Sequence, residues 1–550
     1  MPRDSWRAWA MAAEPSAGAP EDHRAPRKHT GAAAALVAAG MLGSRVLGLI
    51  RNSLIARYLG TSIASDAWTA AFKIPNVLQN LFGEGALSAA FVPVYAGLLG
   101  RGDDDEAERV AGAVAAILGV AMALFVLIGI LAAPLLIYVI APGFTGERRA
   151  LTVALTRVLF PGAGILVLSA WCLGVLNSHR KFLVAYTAPI AWNVVLIAVL
   201  LWRGPLSDKS RVVTDLAWAS VLGSLLQFAV QLPTVRGLVP HLRLALRRTG
   251  AHVREVRRNF GPVFVSRGVV QISSYIDQFL TSFLPNGMVA VFGFATTLYV
   301  LPVSLFGQSV SVAELPEMAR ATIADHEAGD LLRPRLNAGL RRIAFLVVPS
   351  AVAFLAIGDV LTRVVFEHGH FTATDAVYTW AVLCGSAVGL LAGTLGRLYS
   401  STYYALRDTR TPLRFAVIRV ALTTVLGALF AFAVPRAFGI DPHWGVAGLS
   451  ASAGISAWVE FTLLRTRLNA RIGATGLPGR FVITLWGLAV ASAAVAVGVQ
   501  RATAGWGRMT AGVAVIAAYA AAYIGGALVL RVPEVHGIIG GFARRLPFSR

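Results

Sequence analysis

Charge is what this chain has least of. Asp, Glu, Lys and Arg together make up 14% of its 550 residues, where a soluble globular domain carries about 25%. So few charged side chains cannot cover a water-facing surface, which excludes an ordinary soluble domain. Acidic residues are scarcer still, 28 against 49 basic ones, for a net charge of +21. Cysteine is nearly absent. Cys172 and Cys384 lie far apart within apolar runs, which excludes a disulfide framework or thiolate metal site and leaves them as packing residues. No GxxxxGK(S/T) phosphate loop occurs, so ATP is not expected to drive the protein directly. The HGH tract at 368–370 matches no metal-ligand spacing. With no catalytic constellation, neither an enzyme nor a resident cofactor or metal is expected.

What the chain has instead is apolar length. Hydrophobic residues make up 56% of it, and the mean hydropathy is +0.66. Between residues 31 and 531 nearly everything falls in apolar blocks of about 20–30, the length that crosses a bilayer as a helix. Backbone groups cannot go unpaired in hydrocarbon, and the runs are too long and uniformly apolar for barrel strands. The expected fold is therefore an all-α polytopic membrane protein. About 14 transmembrane helices are expected, near 31–57, 63–99, 107–140, 149–177, 183–202, 214–235, 259–284, 287–318, 338–366, 374–405, 413–435, 443–464, 481–500 and 509–530. Basic residues gather in alternate loops at about three to one, which favours both termini on the cytoplasmic side and requires no nucleic-acid partner.

The sequence also repeats itself. LFGEGALSAAFVP at 81–93 resembles LFGQSVSVAELP at 305–316. GFT at 143–145 is echoed by HFT at 370–372, and LNSHRKFLVAYTAP at 176–189 by YALRDTRTP at 404–412. The offsets all fall near 225 residues, room for six spans, and an even number returns each copy to the same side. Two parallel six-helix repeats are expected, with a site between them near the midplane, plus two C-terminal helices. The expected divisions are a disordered cytoplasmic tail (1–30), an N-terminal lobe (31–240), a basic cytoplasmic linker (241–258), a C-terminal lobe (259–465), two additional spans (466–531) and a cytoplasmic tail (532–550). The basic segment 236–258 reads as an amphipathic helix on the anionic leaflet or as a solvated connection.

Charges inside apolar helices carry the functional signal. Arg45, Arg51, Arg57, Asp66, Lys73 and Glu84 all lie within 42–93. An Arg at the centre of a lipid-exposed helix costs at least ~3 kcal/mol, so such residues are kept where they face a watery, protein-lined cavity. Snorkelling from a helix end accounts for Arg57, and for Lys73 in the same way. Arg45 and Arg51 lie deeper. Six residues apart, they point ~120° apart and sit ~9 Å apart along the axis, which suits a wide cavity and not a narrow pocket. Arg267, Asp277 and Arg397 in the second half extend this polar interior to the other lobe. Asp66 reads equally as a cavity carboxylate or a helix cap. Glu84, between Gly83 and Gly85, reads as a gating or proton-coupled carboxylate, or as the partner of a nearby Arg.

This stretch, SRVLGLIRN followed by SDAWTAAFKIPN and LFGEGALSAAFVP, resembles the opening signature of the MurJ/MviN lipid II flippases of the polysaccharide and multidrug exporter superfamily. The resemblance is dense over about fifty residues and mainly one of pattern elsewhere. It implies MATE-like lobes, a bacterial cytoplasmic (inner) membrane, and carriage of lipid II, an undecaprenyl-pyrophosphate-linked peptidoglycan precursor, to the outer leaflet by alternating access. Cell-wall synthesis proteins become candidate partners. It further implies that Arg45 and Arg51 serve the pyrophosphate, with Asp66 in the same cavity. Arg suits that task because its planar fork donates paired hydrogen bonds and stays charged.

Three departures from the family pattern matter. Asn52 stands where an acidic residue often follows the second arginine. Gln79-Asn80 replaces a common basic pair, and Thr296-Thr297 replaces an Asp-Arg or similar pair in the eighth span. The last removes a cavity arginine, for which Arg267 is the candidate substitute. A sodium site found in some relatives would use Asp277 here, but Thr423 and Gly427 offer fewer oxygens than a hard cation wants. Arg419 is the better candidate partner for Asp277. The alternatives to lipid II transport are flipping of another polyprenyl-linked oligosaccharide, a multidrug/cation antiporter, or a non-transporting cell-wall scaffold. An antiporter for cationic drugs wants an acidic, aromatic site, which the first-span arginines argue against.

Overall fold

The computed structural model describes residues 29–87, 90–241, 250–308 and 328–535, together with Val310, Ser311, Glu314 and Met318. Side chains at 29–39, 41, 83–86, 261–274, 308 and 328–331 are outside the description, as is most of both expected tails. Every regular element among the described residues is helical. The first half comprises α1 (His29–Leu59), α2 (Ile63–Leu78) with a π-helical continuation (Gln79–Leu87), α3 (Val92–Gly100), α4 (Asp104–Ile140), α5 (Gly146–Ser178), α6 (Phe182–Arg203) and α7 (Lys209–Leu238). The second half holds α8 (Ala251–Ser282), α9 (Met288–Pro302) with a second π-helical segment (Val303–Gln308), α10 (Ala328–Ala356) and the short α11 (Gly358–Phe366). It continues with α12 (Ala373–Ala405), α13 (Arg410–Ala428), α14 (Val434–Phe438) and α15 (Gly445–Ile472). Helices α16 (Gly479–Ala502) and α17 (Arg508–Val529) close the chain.

Among the described residues eleven helices are long and apolar enough to cross a membrane. Helices α1, α2 and α8 occupy the other three expected places and carry Arg45, Arg51, Lys73 and Asp277. Local chemistry sets the ends. The Ser62 side chain caps α2 by accepting from the Ser65 N–H, Asp103 caps α4, and Thr372 and Asp375 form a capping box at α12. Outward faces are bare of polar cover, as on α4, where Leu131 and Leu135 are exposed.

The internal repeat has structural counterparts. Of the three π-helical segments among the described residues, two begin at Gln79 and Val303, and the third is Leu429–Ala433. Arg180 and Arg407, non-glycine residues at φ +57° and +58°, occupy the same turn in each half. Helix α8 is not divided as expected. Residues 251–258 form its first two turns rather than a linker, because Val253, Val256 and Phe260 bury against N-lobe residues Leu87, Phe91 and Val110. Its far end, at Leu280, joins a second core cluster that draws on residues of both lobes, so α8 ties the lobes together.

Helices α16 and α17 attach to the C lobe through proline chemistry. Pro349 inside α10 has no N–H to give the Phe345 carbonyl four residues back. The Tyr523 hydroxyl donates to that carbonyl at 2.7 Å, and Tyr519 donates to the Pro349 carbonyl at 2.7 Å. In hydrocarbon no water could do this.

Candidate functional site

Between the lobes lies a cavity of about 690 Å³, walled by α1 and α2 on one side and by α8, α9, α12, α13 and α15 on the other. Among the described residues its charged lining is Arg45, Arg51, Lys73, Arg419 and one carboxylate, Asp277. Four cations face one anion.

Each N-lobe arginine is held by neutral groups. Arg45 donates through Nη1 to the Ser304 hydroxyl, in the π-helical turn that follows α9; such turns recur at functional sites because they re-aim side chains. Arg51 donates through Nη1 to Asn193 Oδ1 at 2.9 Å and through Nη2 and Nε to Asn52 Oδ1 at 3.1 and 3.3 Å. Its guanidinium lies 4.8 Å from the Trp192 ring centroid, a cation–π contact. Trp192 is fixed in turn by donating to the Ser220 carbonyl, and Asn193 by donating to the Pro189 carbonyl. No carboxylate neutralises either arginine among the described contacts, so both keep their charge for a ligand.

Two of the three departures from the family pattern meet here. Asn52 Nδ2 donates to Thr297 Oγ1 at 2.9 Å, across the inter-lobe space. A neutral amide–hydroxyl bond joins the lobes at these two positions.

Asp66 is not in the cavity. It is fully buried at one end of the bundle, paired with Arg148 at 2.7 Å. It also accepts from the Gly287 and Ala290 N–H groups at 2.6 and 2.8 Å. It does cap a helix, but the helix is α9 of the opposite lobe and not its own. The carboxylate thereby satisfies orphan N–H donors and the positive end of the helix dipole. Other bonds close the same end: Thr61 Oγ1 donates to Asp375 at 2.5 Å and the His370 N–H to the Arg57 carbonyl at 2.8 Å. Gly287 sits at φ +91°, where a Cβ would come 2.4 Å from the Thr61 carbonyl oxygen, so only glycine permits this approach. Arg57, expected to snorkel, contributes its backbone to the seal.

The remaining expectations resolve unevenly. The Glu84 backbone lies in the π-helical continuation of α2 and Arg267 lies in α8, but both side chains fall outside the described residues. Asp277 lines the cavity and has Lys73 and Arg419 as its opposite charges. Arg419, the better candidate partner of Asp277, acts on it electrostatically, while the hydrogen-bonded ion pair of Arg419 is with Glu460 on α15 at 3.0 Å. Among the described residues no group of three His, Cys, Asp or Glu could hold a metal. Sequence reasoning missed Lys73 as a lining residue, although the motif SDAWTAAFKIPN contains it. It also passed over Glu460, which a search for acids inside apolar runs would have found. Trp192, Asn193 and Ser304 gave no signal, because neutral residues stand out only once their partners are known.

A family model described as "Lipid II flippase MurJ" matches residues 55–516. A probable lipid II flippase MurJ from Rhizobium tropici is 34% identical over 441 residues, 79% of this chain and 80% of that protein. The lipid II flippase MurJ of Burkholderia cenocepacia is 33% identical over 459 residues, 81% and 86% of the two chains. Among solved structures, a lipid II flippase MurJ in an inward closed conformation aligns with TM-score 0.74 at 22% identity, covering 90% of this chain and 98% of that one. An inward-facing multidrug resistance MATE family transporter of the MOP superfamily aligns with TM-score 0.62 at 17% identity, covering 80% and 98%.

Proposed function

The chain belongs to the lipid II flippase MurJ family, and from that premise we propose that it carries lipid II from the inner to the outer leaflet by alternating access. The observation that carries this reading is the cavity's charge: among the described side chains, Arg45, Arg51, Lys73 and Arg419 against Asp277 alone. Moving a pyrophosphate across hydrocarbon requires cations to replace its water, and guanidinium groups do so with paired, charge-assisted hydrogen bonds. A drug-cation antiporter would want the opposite sign. Arg45 and Arg51 are the pyrophosphate ligands in this reading, and Ser304, Asn193 and Trp192 hold them in place. Transport here is carriage without bond breaking, so the chain is not an enzyme.

The positive-inside rule supports an orientation for the cycle. The turns at Arg180–Lys181 and Arg407–Arg410 are basic and belong on the cytoplasmic side. The end sealed by Asp66 and Arg148 is then the outer one. The charged head would enter from the inner leaflet while the polyprenyl tail stays in the bilayer. Both termini would be cytoplasmic, in the bacterial inner membrane.

The test uses a bacterium whose own lipid II flippase can be depleted. Wild type, Arg45→Ala and Arg51→Ala are expressed at matched membrane levels, and outer-leaflet lipid II is measured with a head-group-cleaving probe. Wild type is expected to restore exposure and both variants to lose it. Failure of the well-folded wild type would sink the lipid II reading and favour another polyprenyl-linked sugar, a substrate that the neutral Asn52–Thr297 bridge could suit. Restoration by both variants would leave a flippase with a different site.

A further inference from the structure

Three of the cations that line the cavity sit on one lobe: Arg45 and Arg51 on α1, Lys73 on α2. A ligand shifts a two-state equilibrium only through contacts that differ between the states. A substrate gripped by the N lobe alone would make the same contacts whichever way the lobes rocked. Thr297, on α9 of the second lobe, supplies no charge. Among the described side chains the second lobe nevertheless brings one guanidinium to the cavity. Arg419, on α13, lines the same space from the opposite wall.

Its surroundings fit a group held in waiting. Arg419 makes one ion pair, Nη1 to Glu460 Oε2 at 3.0 Å, with the Arg419 side chain 36% exposed and that of Glu460 12% exposed. Among the described residues Nε and Nη2 have no hydrogen-bond partner, so the fork is half used on its open side. Arg397 on α12 interacts electrostatically with both Glu460 and Arg419. It therefore remains to neutralise Glu460 if Arg419 turns toward a ligand, which lowers the cost of that exchange. Breaking an isolated buried pair would instead strand a charge at ~3–5 kcal/mol.

We propose that Arg419 is the second-lobe anchor for the anionic part of the cavity's ligand, a diphosphate, and that it exchanges Glu460 for the ligand when the cavity fills. The assignment rests on the transport reading above and deepens it, naming the residue through which substrate contacts both lobes. It stands beside the expectation that Arg267, whose side chain lies outside the described residues, compensates for the arginine missing at Thr297.

The test is a binding titration of the full chain in detergent micelles with lipid II, read by native mass spectrometry. Arg419→Gln is expected to weaken binding about tenfold, the size of one charge-assisted contact. Glu460→Gln is expected to tighten it several-fold by freeing Arg419, an effect that loss of a structural ion pair would not produce. Should Arg419→Gln fold poorly around an unpaired Glu460, the double variant Arg419→Gln/Glu460→Gln carries the test and is expected to bind as weakly as Arg419→Gln. If Arg45→Ala abolishes binding while the Arg419 and Glu460 variants all stay within twofold of wild type, the anchor assignment is overturned and the transport reading stands. A folded wild type that binds no lipid II overturns both.

Discussion

Asn52 and Thr297 stand 245 residues apart in sequence and 2.9 Å apart across the cavity. The amide oxygen of Asn52 serves Arg51 while its nitrogen serves Thr297, so one neutral side chain orients the arginine without cancelling its charge. Asn52→Asp should change that. A carboxylate accepting from Arg51 would neutralise it and lose the donor to Thr297, and lipid II binding should weaken several-fold. Adding Thr297→Arg should restore most of it, because contacting residues couple by ~0.5–3 kcal/mol. The same titration measures all three forms, and equal losses in the single and double variants would refute the pairing. A second residue-scale prediction concerns stability. Tyr523→Phe removes the donor to the Phe345 carbonyl that Pro349 leaves bare. It should cost about 1–3 kcal/mol, the range for an unsatisfied buried polar group, and lower the midpoint of thermal unfolding without altering lipid II binding.

At the scale of elements, the sequence and the structure part company in a consistent way. Helical spans were legible because a bilayer imposes length and hydropathy on each segment by itself. Arg45 and Arg51 were legible as cavity residues because a charge in an apolar run is an anomaly with a local signature. The partner of Asp66 was not, since its carboxylate caps a helix more than 200 residues later and nothing in Ser65-Asp66 encodes that distance. The first turns of α8 were assigned to a linker for the same reason: their basic residues outvoted Val253 and Val256, whose burial depends on the other lobe. The repeat was legible, and its structural counterpart at the turn before α13 carries a prediction. Burial pushes the Asp408 carboxyl up, but the Thr411 N–H and hydroxyl and the Arg471 guanidinium outweigh it and hold the group below the usual carboxylate range. A depressed folded-state value means that stabilisation is present above the unfolded value of about 3.9 and is lost as pH falls through the folded one. Asp408→Asn should therefore lower the unfolding temperature at pH 7. The gap from wild type should narrow as pH drops below about 4; a gap constant with pH would show that the charge contributes nothing.

For the whole molecule the decisive contrast is between the two ends of the cavity. At one end Asp66, Arg148 and the start of α9 form a buried, charge-assisted tie between lobes, with Thr61–Asp375 beside it. Within the cavity the lobes are joined by hydrogen bonds to neutral groups, such as Arg45 with Ser304 and Asn52 with Thr297, which a ligand competing for the arginines could replace. In the proposed orientation, opening toward the outer leaflet breaks the tie, and that requirement is open to measurement. In a Cys172→Ser/Cys384→Ser background, Thr69→Cys places a thiol in the cavity lining, where an impermeant maleimide added outside reaches it only through an open outer end. Asp66→Asn should raise the labelling rate several-fold. Because that change leaves Arg148 buried without its partner, at ~3–5 kcal/mol, Asp66→Asn/Arg148→Gln serves as the form that removes the tie without stranding a charge. Faster labelling in the double variant would make the Asp66–Arg148 pair the lock on the outward transition. A rate equal to wild type in a folded double variant would assign closure to the Thr61–Asp375 and His370–Arg57 bonds instead, and Asp375→Asn would then be the change that opens it.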